Sequence, residues 1–189
     1  MNSLKLAYGY LGHVLLWTLV LRTFLAPVTP ASFSQLPAQK ILWLGLLALP
    51  SLAISYFTLG MLSQLSAAFT FLLFVGLTQF VHGFPPPAMS PWLFAVVALV
   101  GLLLYASALG FLRTDIYAWG YQARWLALAS GLLALLLWPG APLVSWAMAF
   151  ALLAFALGIG ASRNLWDYLV DPIMFFTAVY FFIRYLWRG

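Results

Sequence analysis

From Ile41 to Phe84 the chain is one nearly unbroken apolar run. A membrane-crossing helix needs roughly 20 residues, within a range of about 17 to 25. The run is too long for one span, so it must turn back on itself. Its most polar point is "LSQLS", Leu62 to Ser66, and the turn is expected there. Composition agrees with that reading. Of 189 residues, 66% are hydrophobic and only 6% are charged, where a soluble domain carries about 25%. A chain this poor in charge cannot cover a water-facing surface, so the class is integral membrane.

Five more boundaries follow from the same logic. Seven apolar segments are expected: Leu6 to Ala26, Ile41 to Met61, Leu65 to Val81, Trp92 to Leu112, Arg124 to Trp138, Leu143 to Ala161 and Ile173 to Trp187. The fold class is therefore all-α, a polytopic transmembrane helix bundle of about seven spans, with six as the alternative. The longest loop, Pro27 to Lys40, falls far short of the about 50 residues a domain needs. Residues 1–189 thus read as a single integral membrane domain with no extramembrane domain. Leu6 to Leu21 exceeds the usual about 7–15 residues of a leader, and no A-x-A-like cleavage site follows. It is expected to be a retained first span. Pro50 should kink the second segment, with Ser51 and Ser55 satisfying the freed backbone groups.

The loops fall into two kinds by alternation. One side receives the proline-rich "PVTPASFSQLPAQ", "HGFPPPAMSP" and "PGAP". The other receives "LSQLS", "RTDIYAWGYQAR" and "SRNLWDYLVD", with all three acids of the chain. Arg113, Arg124 and Arg163 lie on that second side, and loop arginines favour the cytoplasm. Compactness, and arginine in excess of lysine, point to a bacterial inner (cytoplasmic) membrane. Membrane lipids are expected partners. The basic residues are scattered, so the formal charge of +5 does not indicate nucleic acid.

The stretch "RNLWDYLVDP" holds two of the three acids, Asp167 and Asp171. If one helix ran on from Arg163, both would share a face, with Asn164 and Tyr168 nearby. Against a site at Asp171 stands Pro172. The residue before proline is steered out of helix, and Asp at the cap with Pro at the first position starts one. Asp167 is less explained, and Arg163 lies one turn before it. Arg113, Asp115 and Arg124 in the neighbouring loop complete a candidate polar cluster. It comprises Arg113, Asp115, Arg124, Arg163, Asn164, Asp167, Tyr168 and Asp171. A salt-bridged latch is the expectation for it, a headgroup site the sharper reading.

His13 is a second candidate, because an ionisable group inside a span is either functional or hydrogen-bonded across helices. His82 lies at a different depth, so the two histidines cannot share a haem. There is no cysteine, and no carboxylates lie at the depth of either histidine, so no metal site and no cofactor are expected. Arg22 and Arg184 are expected to snorkel to the headgroups. Ala147, Ala151, Ala154, Gly158 and Ala161 form a small-residue seam that lets another helix pack closely.

The expected function is a non-catalytic subunit or accessory protein of a larger membrane assembly, meeting its partner through that seam. Two other readings stay open. One is a small transporter or channel whose helices break at Pro50, Gly60, Gly158 and Gly160 around a midplane site. The other is an enzyme acting on lipid headgroups, with Asp115, Asp167 and Asp171 reacting and the three arginines as anion clamps. It requires the two acidic loops to converge.

Overall fold

The computed structural model describes residues 3–26, 37–85 and 89–188. The loop residues 27–36 and Pro86 to Ala88 lie outside these. Among the described residues the chain is all-helical. The elements are α1 (Ser3–Leu25), α2 (Pro37–Leu62), α3 (Ala67–His82), α4 (Pro91–Ala108), a 3-10 turn (Tyr117–Gly120), α5 (Arg124–Leu137), α6 (Pro142–Ala156), α7 (Trp166–Leu169) and α8 (Pro172–Arg188). Each of the seven apolar segments is helical. α1, α2 and α4 are long and apolar enough to cross a membrane, which fits a membrane protein.

Helix ends show where the sequence reading overshot. The fourth segment was expected to reach Leu112 and the sixth Ala161, but α4 ends at Ala108 and α6 at Ala156. The cause is glycine in the left-handed region, at φ +79° for Gly110 and +61° for Gly158. After each, the next N–H reaches back five residues: Phe111 to the carbonyl of Ala106, and Ile159 to that of Ala154. This closes the helix in a Schellman motif, and Gly83 ends α3 the same way. Hydropathy cannot see these stops, because the residues beyond them are still apolar.

Pro50 and Gly60 lie inside an unbroken α2. Ser51 and Ser55 are buried, as expected of helpers near a proline, but their hydroxyls serve other carbonyls. Ser51 Oγ donates to Leu47 at 2.7 Å and Ser55 Oγ to Ser51 at 2.6 Å. The carbonyl that loses its partner to Pro50 is one residue earlier, at position 46. Ser51 Oγ also accepts from Thr18 Oγ1 on α1, at 3.2 Å.

The chain groups into two compact units, Met1–Leu65 with Thr70–Pro86, and Ser66–Phe69 with Pro87–Gly189. In the first, α1 packs along α2. In the second, α4 packs antiparallel to α8, with Phe94 stacked on Phe181 and Tyr105 edge-on to Phe175. Gly101 permits the approach: a Cβ there would meet the Phe175 ring at 2.5 Å. α6 packs against α5 and α7. Its seam is used in that contact, with Ala147, Ala151 and Ala154 at most 3% exposed. The seam expected to receive a partner is therefore filled by the chain's own helices. Gly158 and Ala161, past the end of α6, stay exposed.

Candidate functional site

Asp171 and Asp167 do not share a helix. α7 is a single turn, and Val170 is extended at φ −140° and ψ 131° before α8 begins at Pro172. Asp171 is 4% exposed and both its carboxylate oxygens accept backbone N–H groups. Oδ1 takes Met174 N at 2.8 Å, the expected cap of α8. Oδ2 takes Ser66 N, also at 2.8 Å. Ser66 is itself the cap of α3, its Oγ accepting from Phe69 N at 3.2 Å. One carboxylate thus faces the starts of two helices, where the backbone dipoles favour a negative charge.

The two acidic loops of the second unit converge, as the cluster required, with Asn164 and Asp167 of the cluster meeting Tyr117, which the sequence reading passed over. Tyr117 donates its hydroxyl to Asp167 Oδ1 at 2.8 Å. Asn164 is fully buried and donates Nδ2 to the Tyr117 carbonyl at 3.0 Å, while its Oδ1 accepts Trp166 N. Trp166 Nε1 donates to the Ile116 carbonyl and Leu165 N to that of Gly120. Gly120 is essential to the fit, because a Cβ there would collide with Asn164 Oδ1. Tyr168 is buried with its hydroxyl on the Ser162 carbonyl at 3.2 Å, and Gly160 leaves the room it needs.

Asp115 caps the 3-10 turn, accepting Ala118 N at 2.9 Å. None of the hydrogen bonds on the three carboxylates comes from an arginine. Arg113, Arg124 and Arg163 are exposed. The latch between the loops is therefore built of hydrogen bonds, in place of the expected salt bridges. Burial, then the bond to Asp167, raises the Tyr117 phenol above its ordinary value. Burial likewise raises Tyr168. Both groups keep their protons and act as donors.

His13 is fully buried and sits in a network of the first unit. Its Nε2 lies 2.7 Å from the Ser63 carbonyl. A carbonyl only accepts, so Nε2 carries the proton. Nδ1 is 3.1 Å from Thr58 Oγ1, which also accepts Trp17 Nε1 at 3.1 Å. Ser63 stands at φ +58°, a left-handed conformation that costs a residue with a Cβ about 1–2 kcal/mol. The turn predicted at Leu62 to Ser66 is thus held by side chains of α1 and the turn itself. Tyr8 donates to the Leu65 carbonyl, and Gln64 donates to the Lys5 carbonyl at 2.6 Å. Gly9 and Gly12 let the turn come close, since a Cβ on either would lie 3.0 Å from Gln64 Cγ or Thr70 Oγ1. The spacing Gly9, Gly12, His13 on one helical face was the signal available for this contact.

A shallow groove of about 560 Å³ runs along the last turns of α8, lined by Tyr180, Ile183, Arg184, Trp187 and Arg188. It lies at the opposite end of α8 from Asp171. Among the described residues no group of three or more metal-ligating side chains is assembled. Comparison with family models, with curated proteins and with solved structures finds no match to this chain.

Proposed function

We propose that the chain is a non-catalytic membrane subunit, a polytopic bundle of about seven spans that packs against a larger partner. The observation that carries the reading is the use made of the carboxylates. Asp171 holds two backbone N–H groups, Asp115 holds one, and Asp167 holds a phenol. An enzyme working by acid–base or metal chemistry needs a carboxylate within reach of its substrate and open to it. Here the acids do structural work.

α3, α5, α6 and α8 contribute spans in this reading, although they have only 16, 14, 15 and 17 residues. At 1.5 Å per residue they measure roughly 21–26 Å, so flanking apolar loop residues complete the crossing. The partner surface lies away from α6. On α2, Gly45, Ala53 and Gly60 are exposed on the face opposite the buried Leu47, Ser51 and Ser55. The space beside Gly45 and Gly60 is open, so a neighbouring helix can approach closely there.

Purification in mild detergent tests the reading. One integral membrane protein should co-purify in fixed stoichiometry and be lost from Gly45→Leu and Gly60→Leu variants, which should melt like the parent. A monodisperse monomer with no such companion would sink it.

A further inference from the structure

We propose that the rim formed by the end of α1, the start of α2 and the end of α3 is an anion site for a phosphate group, supplied by an anionic phospholipid headgroup. Three elements of the first unit bring the site together. Arg22 lies in the last turn of α1, Lys40 in the first turn of α2 and Phe80 near the end of α3. The Arg22 guanidinium carbon is 3.7 Å from the centroid of the Phe80 ring. The Lys40 Nζ is 5.5 Å from the same centroid. The two charges can be no farther apart than the sum of those distances. That is about one Debye length at physiological salt, so they repel one another.

Stacking on a ring steadies a cation but leaves its charge in place. A carboxylate would ordinarily be supplied to neutralise such a pair, and here none is at hand. The first acidic residue of the chain is Asp115, so the whole segment from Met1 to Thr114 contains no aspartate or glutamate. The first unit therefore has no acidic side chain with which to balance the pair. A bound anion would supply the neutralising charge.

Geometry and position select a phosphate on a lipid. Arginine presents a planar fork that binds phosphate oxygens in pairs, and lysine adds a point charge. Lys40 itself stands in the first turn of α2, where the positive end of the helix dipole favours an anion. Gly83, at φ +73°, turns the chain past Lys40. The Lys40 Nζ lies beside this turn, 3.7 Å from where a Cβ on Gly83 would stand. α1 and α2 are both long and apolar enough to cross a membrane, so their adjoining ends fall at the headgroup boundary. Phe24 in the last turn of α1 and Phe84 just past α3 are strongly exposed and offer apolar surface to acyl chains.

The test uses the full chain in detergent with added phosphatidylglycerol or phosphatidylcholine, reading retained lipid by native mass spectrometry. The parent should retain phosphatidylglycerol in preference to phosphatidylcholine. Retention should fall about fivefold for Lys40→Gln and roughly 30-fold for Arg22→Gln with Lys40→Gln. Arg22→Lys, which keeps the charge, should restore most of it. Arg184→Gln with Arg188→Gln should leave it unchanged. If the double variant does not fold, Lys40→Gln alone carries the comparison. Inorganic phosphate that displaces the lipid would support the site and assign its anion to solution; failure to displace supports the lipid. Equal retention of the two lipids by the parent would overturn the proposal. So would loss confined to the Arg184 and Arg188 variant.

Discussion

The two units solve one problem with opposite chemistry. Each must hold a polar turn against apolar helices. The first does so with His13, Thr58, Trp17 and Gln64, in a segment without a single acid. The second does so with carboxylates, Asp171 on two helix starts and Asp167 on a phenol. The difference follows from what is being held. In the first unit the groups in need are carbonyls at a helix end, Ser63 and Leu65, so donors are required. At Asp171 in the second they are N–H groups at helix starts, so an acceptor is required. A carboxylate is the strongest acceptor available, and its charge is favoured there by the dipoles.

The largest effect should come from Asp171. Replacing it by alanine strips partners from two N–H groups, those of Ser66 and Met174, and should destabilise the second unit by about 4 kcal/mol. Hydrogen exchange should quicken at the first turns of both α3 and α8. If only α8 loosens, the double cap is not what holds α3, and the contrast between the units weakens.

Next comes the histidine. His13→Ala leaves a buried carbonyl and a cavity, and should cost about 3 kcal/mol, with exchange rising at the Leu62–Ser66 turn. Ser63→Gly supplies the matching control. It removes the left-handed strain while keeping the carbonyl, and should stabilise by about 1 kcal/mol. A loss of stability there would mean that the Ser63 conformation is not strained.

The smallest effect, and the sharpest, is in alkali. Tyr117 is protonated in both folded and unfolded chains below the ordinary phenol value of about 10, so it adds no pH dependence there. Above that value the unfolded chain ionises first while the folded loop keeps its proton. Stability therefore falls as pH rises from about 10 toward the raised folded value. Tyr117→Phe should cost about 1 kcal/mol at neutral pH and flatten part of this alkaline loss. Parallel melting curves in detergent for parent and variant read out the difference. Identical alkaline slopes would remove Tyr117 from the latch.

Much of the scaffold was legible from local signals. Helix positions came from apolar runs, the turn at Leu62 to Ser66 from its serines and glutamine, and the start of α8 from Asp171 before Pro172. The helix stops at Gly110 and Gly158 were missed, because a Schellman end is written in backbone conformation, while hydropathy continues beyond it. The second acceptor role of Asp171 was hidden because its partner, Ser66, is 105 residues away in sequence. Asp167 was paired with Arg163 by helical spacing that the chain does not adopt; its partner, Tyr117, lies in another loop. Ala147, Ala151 and Ala154 were recognised as a packing seam, but periodicity alone does not say whose helix fills it.

That 105-residue separation has a consequence for how the protein is made. α3 and its N-cap Ser66 emerge from the ribosome long before Asp171 exists. At about 5–20 residues per second, the Ser66 N–H waits on the order of 5–20 s for its carboxylate. Through that interval the turn has only what was synthesised before it. His13 is already in place, 50 residues upstream of the carbonyl it will take. The histidine can pin the turn during synthesis, and the aspartate can lock it only at the end.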